Sequence, residues 1–152
     1  MRIDKNIVEK KYNIFNEKYF DNSLPKIKFR THISKNTWGI MSYYYSAKWK
    51  NNISIARNVE WNETELDKTI IHEMIHFYLL LYDKRYNGKN FFYNRSHGIL
   101  FKEQAKKIKK IYNIDISTKI KYSYWLNKKG KKEKPSHNPF IIFMRWFKRY
   151  IL

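Results

Sequence analysis

The stretch "TIIHEMIHFYLL", residues 69–80, places two histidines four positions apart in an otherwise apolar run. On a helix, residues i and i+4 lie one above the other, so His72 and His76 can direct both imidazoles at one tetrahedral zinc ion. Glu73 lies about 100° further around the helix, where a carboxylate can take a proton from a zinc-activated water. The stretch therefore predicts a helical H-E-x-x-H metal site. The alternative is a core helix whose two histidines are satisfied by hydrogen bonds.

A catalytic zinc site needs a third protein ligand and an open fourth position. His97 is the best candidate, because it begins the next predicted helix, which can return antiparallel to the first. Glu103 competes for this role, but it lies six residues further on, on another helical face, so both side chains cannot easily bind one ion. His32 and His137 are weaker candidates.

Helix signals surround the motif on both sides. Asn62 followed by Glu65 matches a capping box, and the helix that it starts is predicted to run to about Tyr82. Ser96 can cap the next helix, which is predicted to end near Tyr112. The apolar stripe predicted for that helix consists of Ile99 or Leu100, Gln104 or Phe101, Ile108 and Ile111. Another helix is predicted earlier in the chain, over residues 3–20, and the polar turn "DNSLP" ends it.

Between the first and second predicted helices, the period of the apolar residues changes to two. Strands are predicted in "IKFRTHI" (27–33), "TWGIMSYYYS" (37–46) and "NISIAR" (52–57), with Gly39 as a candidate for a β-bulge. These patterns predict an α+β fold, in which helices pack on a small, mostly antiparallel sheet of about three strands.

The charge of the chain is strongly unbalanced. Lys and Arg number 32 against 13 acidic residues, a formal net charge of +19, which creates an attractive field for polyanions. Nucleic acid is the predicted partner. The alternative is that the high lysine content reflects an AT-rich genome and that the lysines lie on solvated surfaces without a binding role. The candidate nucleic-acid contacts are Lys106, Lys107, Lys109, Lys110, Lys128, Lys129, Lys131, Lys132, Arg145, Lys148 and Arg149.

Composition excludes several classes of site. The chain has no cysteine, so a metal must be held by histidines and carboxylates rather than by thiolates. No apolar run approaches the ~18 residues of a membrane span, and the charged N-terminus lacks the apolar core of a secretory signal. We expect a soluble, monomeric protein of the cytoplasm, associated with the nucleoid if it binds DNA.

Several stretches occur in a characteristic order: "YNIFNEKYFDNSLPKIKFR" (12–30), "WGIM" (38–41), "NISIARN" (52–58), "TIIHEMIHFYL" (69–79) and "SHGILF" (96–101). In this order they resemble the SprT-like metalloproteases, the family that includes the Spartan proteases acting on DNA–protein crosslinks. The resemblance covers about residues 5–115. It implies a minimal zincin fold, one catalytic zinc ion held by His72, His76 and His97, and Glu73 as the catalytic residue. The implied activity is zinc-dependent cleavage of DNA-associated or DNA-crosslinked proteins.

The sequence departs from this family after its core. Many members carry a four-cysteine zinc ribbon there, whereas this chain has a basic, aromatic segment from Lys119 to Leu152. We therefore divide the chain into a SprT-like domain, residues 1–116, and a C-terminal extension, residues 117–152. Tyr124, Trp125 or Trp146 can stack on nucleic-acid bases or pack back on the core.

Two other functions remain open at this point. The first is a nucleic-acid-binding or regulatory protein whose zinc site is structural or catalytically idle. The second is a basic accessory protein that works through "FIIFMRWFKRYIL" (140–152), a predicted amphipathic helix that can bind a partner or an anionic membrane surface.

Overall fold

The computed structural model describes residues 1–86, 97–116 and 123–133. These residues form an α+β fold, as the sequence predicts. The helices are α1 (Lys5–Phe20), α2 (Glu63–Tyr82) and α3 (Ile99–Tyr112), and short 3₁₀ turns cover Lys48–Lys50 and Lys84–Tyr86. The strands are β1 (Lys28–His32), β2 (Gly39–Ser42), β3 (Asn52–Ala56), β4 (Val59–Glu60), β5 (Tyr124–Leu126) and β6 (Lys132–Glu133).

The first three strands form one sheet in the order β1-β3-β2. All residues of β3 are buried, because this central strand has a neighbour on each side and α2 against one face. β2 pairs antiparallel with β3, from Gly39 opposite Ile55 to Ser42 opposite Asn52. β1 pairs parallel with β3, a direction that its alternating sequence does not reveal. The order leaves β2 at an edge of the sheet.

Helix α2 is the centre of the core. Its fully buried side chains include Leu66, Ile70, Met74 and Phe77, which recur at helical spacing. Burying a side chain of this size stabilises the fold by about 1.5–3 kcal/mol. These contacts fix α2 between the sheet and the other two helices.

The turn after α1 is held by side chains of α1 itself. The amide of Asn16 donates to the carbonyl of Leu24 at 2.8 Å and accepts from the Leu24 N–H at 3.1 Å. The Tyr12 hydroxyl donates to the carbonyl of Pro25 at 2.8 Å. The "DNSLP" turn is thereby docked on α1 and directs the chain into β1.

The start of α2 contains a capping box that a third residue completes. As predicted, the side chain of Asn62 accepts from the N–H of Glu65, at 3.3 Å. The N–H of Asn62 donates to Ser123 Oγ at 2.9 Å, and the Ser123 hydroxyl donates to Glu65 Oε2 at 2.7 Å. Ser123 lies far along the chain, so the end of the described structure stabilises the start of α2.

Strands β4, β5 and β6 form a second sheet in that order. It places Trp125, only 2% exposed, against Trp38, with ring centroids 4.3 Å apart, and Trp61 also packs against Trp38, at 5.5 Å between centroids. Of the two alternatives for Trp125, base stacking is therefore excluded and core packing is confirmed. The division of the chain at residue 116 stays a prediction, although residues 123–133 contact the core.

Helix α3 begins slightly later than predicted, with Gly98 as its N-cap. The proposed cap, Ser96, lies outside the described residues, as do Trp146 and the predicted helix over 140–152. None of the helices in the described ranges is long and apolar enough to cross a membrane.

Candidate metal centre

Three imidazoles converge where α2 meets the start of α3. Nε2 of His72 lies 2.8 Å from Nε2 of His97 and 3.1 Å from Nε2 of His76. All three side chains offer a nitrogen within 4.8 Å of the others. In a tetrahedral zinc site with bonds of 2.0–2.1 Å, ligand nitrogens lie about 3.3 Å apart. The distances from His72 to the other two nitrogens are therefore close to the spacing that one zinc ion requires.

Phe101 is the apolar floor of this cluster. Its ring centroid lies 4.5 Å from that of His72, 4.7 Å from that of His76 and 5.1 Å from that of His97. Phe101 lies in the first turn of α3, and His97 lies just before the N-cap Gly98, so the start of α3 brings both side chains to the cluster. The sequence predicts Phe101 only as a possible core residue.

Partial burial lowers the affinity of two of these imidazoles for protons. It lowers the pKa of His72 to about 3, with the nearby His97 as a second cause, and it also lowers the pKa of His97. A neutral imidazole is the form that binds a metal ion, because a protonated ring nitrogen has no free lone pair. At neutral pH these two side chains are ready to act as ligands.

A tyrosine orients the second histidine of α2. Nδ1 of His76 lies 3.0 Å from the hydroxyl of Tyr86, which is buried on the 3₁₀ turn just after α2. When Nε2 faces a metal, Nδ1 carries the proton and donates to the Tyr86 oxygen, which fixes the tautomer and the ring. Sequence analysis missed Tyr86, whose only signal is one aromatic residue in the polar stretch "DKRYNG".

Glu73 lies next to the cluster and against β2. The side chain is 6% exposed, and a Cβ atom added to Gly39 would lie 2.6 Å from Glu73 Oε1 and 2.8 Å from its Cγ. The predicted bulge at Gly39 is absent, because Gly39 pairs in regular register with Ile55. Its close approach to Glu73 is what requires glycine at this position. Only a residue without a side chain lets the Glu73 carboxylate lie against the edge strand.

The competing ligand candidates lie elsewhere. Glu103 lines a small cleft between α2 and α3, together with Tyr82 and Asp83. His32 is held in the first sheet, where its Nε2 donates to the Thr37 carbonyl at 2.9 Å and its Nδ1 lies 2.9 Å from Ser54 Oγ. Among the described residues, the group placed to hold a metal is His72, His76 and His97. His137 is outside those residues.

The predicted nucleic-acid contacts are spread over two surfaces. Lys106, Lys107, Lys109 and Lys110 are exposed on α3, and Lys128, Lys129, Lys131 and Lys132 are exposed around the turn between β5 and β6. Two of them have acidic partners, since Lys109 pairs with Asp115 and Lys132 pairs with Glu60. Arg145, Lys148 and Arg149 lie beyond the described ranges.

The model of the SprT-like family matches residues 8–120. The chain belongs to the SprT-like family. The match includes the three histidines, Glu73 and the edge strand β2, and it ends before β5. No curated protein matches the sequence significantly. This SprT-like protein thus combines the family core with a second sheet that adds Trp125 to that core.

Proposed function

We propose that this SprT-like protein is a zinc-dependent endopeptidase. The observation that carries the proposal is the convergence of three imidazole nitrogens beside a buried glutamate, with membership of a metalloprotease-type family in support. Neutral nitrogen ligands suit zinc, and three protein ligands are the usual set of a catalytic rather than a structural site. His72, His76 and His97 would hold the ion.

Glu73 is the proposed general base and acid. A zinc ion supplies Lewis acidity, which makes a water molecule more acidic and polarises the substrate carbonyl. Glu73 is one residue from His72 and takes the proton as the water attacks the peptide carbonyl. The same carboxylic acid then delivers the proton to the amine that leaves. The close approach of Gly39 holds the carboxylate in one place for both transfers.

Strand β2 is the proposed docking edge for the substrate. It is one of the two outer strands of the first sheet, and it is the one whose first residue, Gly39, lies against Glu73. An extended peptide can pair with the backbone of such an edge, which places a scissile bond beside the catalytic side chain without strict sequence requirements. Recognition through the backbone suits an enzyme with varied protein substrates.

The proposed substrates are proteins associated with or crosslinked to DNA. The support is the net charge of +19, which concentrates the protein on polyanions, together with family membership. Binding to nucleic acid would compensate for weak sequence specificity at the β2 edge, because protein substrates on the same strand would be present at high local concentration.

Replacing Glu73 with glutamine tests the reaction class. We expect Glu73→Gln to bind one zinc ion per chain like the wild type, measured by elemental analysis. Cleavage of a protein crosslinked to DNA, followed on gels, should fall by about 10²–10⁴-fold. Glu103→Gln, the same chemical change on α3, is the matched control and should cleave normally. Retained cleavage in Glu73→Gln would refute the assignment. Zinc binding by a wild type that cleaves no crosslinked protein would favour a structural ion.

A further inference from the structure

The connection between β2 and β3, residues 43–51, exposes aromatic rings that the metal centre does not use. Tyr45 is 84% exposed, Trp49 is 68% exposed and Tyr44 is 46% exposed. Large rings left in water forgo the stabilisation that burial would give them, so a cluster of them marks a binding surface. The three rings share one short connection, and we call residues 43–50 the aromatic platform.

Buried side chains fix the backbone of the platform. Oδ1 of Asn51 accepts from the N–H of Tyr44 at 2.7 Å, and the amide of Asn52 donates to the carbonyl of Lys50 at 3.0 Å. Both asparagines are buried at the start of β3. Trp49 is in the middle of a 3₁₀ turn that these bonds secure. The rings are therefore presented on an ordered segment.

Ring contacts also connect the platform to helix α2. The ring of Tyr45 packs on that of Tyr43 at 6.2 Å between centroids, and Tyr43 packs on Phe77 at 6.3 Å. Phe77 follows His76 on α2, and Tyr43 follows the strand whose other end touches Glu73. The platform thus continues from the proposed substrate edge.

The stretch of chain that contains the platform is basic. Residues 26–58, which contain the whole first sheet, include seven Lys and Arg and no Asp or Glu. Lys48 and Lys50 flank Trp49 and are exposed, and Lys28 begins β1 at the same end of the sheet, where it pairs with Asn52. Local charge therefore favours an anionic partner with flat apolar groups.

We propose that the aromatic platform binds single-stranded nucleic acid, with bases stacked on Trp49 and Tyr45 and phosphates contacted by Lys48 and Lys50. Stacking requires unpaired bases, because the faces of bases in a duplex are covered by their neighbours. A membrane surface fits less well as the partner. Trp49 lies in a 3₁₀ turn between two lysines, whereas peripheral membrane binding typically uses an amphipathic helix with an aliphatic face. The proposal names the nucleic-acid partner and rests on the proposed function for its purpose, but binding itself needs no cleavage.

Binding of oligonucleotides to the zinc-loaded protein tests the platform. Fluorescence anisotropy would compare a labelled oligo-dT of about 20 nucleotides with a duplex of equal length. We expect Trp49→Ala combined with Tyr45→Ala to weaken oligo-dT binding at least about tenfold and duplex binding by less than about threefold. Tyr124→Ala removes the rival ring, which the sequence also predicts as a candidate for base stacking and which is exposed under Lys132 on the second sheet; if the platform is the binding surface, this variant should change neither affinity. Unchanged zinc content and thermal unfolding would show that the double variant is folded.

The lysines have a separate readout. Lys48→Ala combined with Lys50→Ala should lower the slope of log Kd against log salt for oligo-dT by about 1.4, since each phosphate contact on a single strand contributes about 0.7. Lys5→Ala combined with Lys10→Ala, an equal change of charge at exposed positions of α1, should leave more of the slope intact.

Three results would overturn the platform. The first is oligo-dT binding by the aromatic variant within about twofold of the wild type. The second is an equal loss with Tyr124→Ala. The third is a loss of binding to anionic lipid vesicles with no change for oligo-dT. Glu73→Gln should bind oligo-dT like the wild type, so failure of the protease assignment and failure of the platform give different results.

Discussion

At the scale of single residues, Gly39 sets how closely the first sheet approaches helix α2. We predict that Gly39→Ala lowers cleavage by about ten- to a hundredfold, because a Cβ atom 2.6 Å from Glu73 Oε1 must displace the carboxylate from its place beside the imidazoles. Zinc content should stay at the wild-type level, since the three histidines are untouched. Elemental analysis and cleavage assays on the same preparation would measure both. Ser42→Ala, at the other end of β2, provides the comparison, and wild-type cleavage in Gly39→Ala would contradict the geometry.

His72 determines how the metal-free protein responds to acid. Its pKa in the folded state is about 3 because of burial, below the ordinary value of about 6.5. Between these two values the unfolded chain binds a proton that the folded chain does not. We therefore predict that the free energy of unfolding falls as pH decreases below about 6.5, by up to about 1.4 kcal/mol per pH unit from this group.

Urea unfolding after chelator treatment would measure this dependence at pH 7 and pH 5. Carboxylates also titrate as acid is added, so the comparison is with His72→Gln, which cannot take up the proton. A wild type whose unfolding free energy depends on pH no more steeply than that of His72→Gln would disprove the role of this histidine.

At the scale of elements, the start of α2 depends on a residue from the end of the described chain. We predict that Ser123→Ala lowers the free energy of unfolding by about 1–3 kcal/mol, because the buried carboxylate of Glu65 and the N–H of Asn62 both lose a partner. Denaturant unfolding of the zinc-loaded protein would measure the loss. Ser46→Ala, in the exposed part of the β2–β3 connection, should cost little. Equal midpoints for the two variants would mean that Ser123 does not support the cap.

Helices were more predictable than the contacts between them. The boundaries of α1 and α2 follow from local signals, namely an apolar period and a capping residue, and both are close to the predicted ones. The direction of β1 could not be predicted, because alternation looks the same in parallel and antiparallel strands. Ile111, predicted in the apolar stripe of α3, is exposed, since α3 meets the core mainly through Leu100, Phe101 and Ile108.

In the candidate site, too, local features could be predicted from the sequence and tertiary contacts could not. His72, Glu73 and His76 form a short motif within one helix, so their shared position follows from helical spacing alone. His97 could be proposed because it opens the next helix and because its surroundings resemble the family. Tyr86 and Gly39 could not be assigned their roles, since each depends on a tertiary contact that no spacing encodes.

At the scale of the whole molecule, charge is arranged by region. Acidic side chains of α2 serve the structure, as Glu63 and Asp67 do when both pair with Lys11 of α1. The first sheet, in contrast, has no acidic residue between positions 26 and 58. The helical side of the protein is thus held together by ion pairs, while the sheet side is left free to attract polyanions.

The packing of Trp125 on Trp38 also orders events during synthesis. Strand β5 joins β4 across more than sixty positions of the chain, so this closure must wait until residues 124–126 have been made. Chains fold from their N-terminal part as they emerge, and contacts between distant segments form slowly. The histidines of the metal centre therefore leave the ribosome before the tryptophan cluster can close and before Ser123 can cap α2. We expect a nascent chain that has not yet reached β5 to hold the three histidines in a less stable fold, so that the proposed cleavage activity is restrained until residues 123–126 have been made.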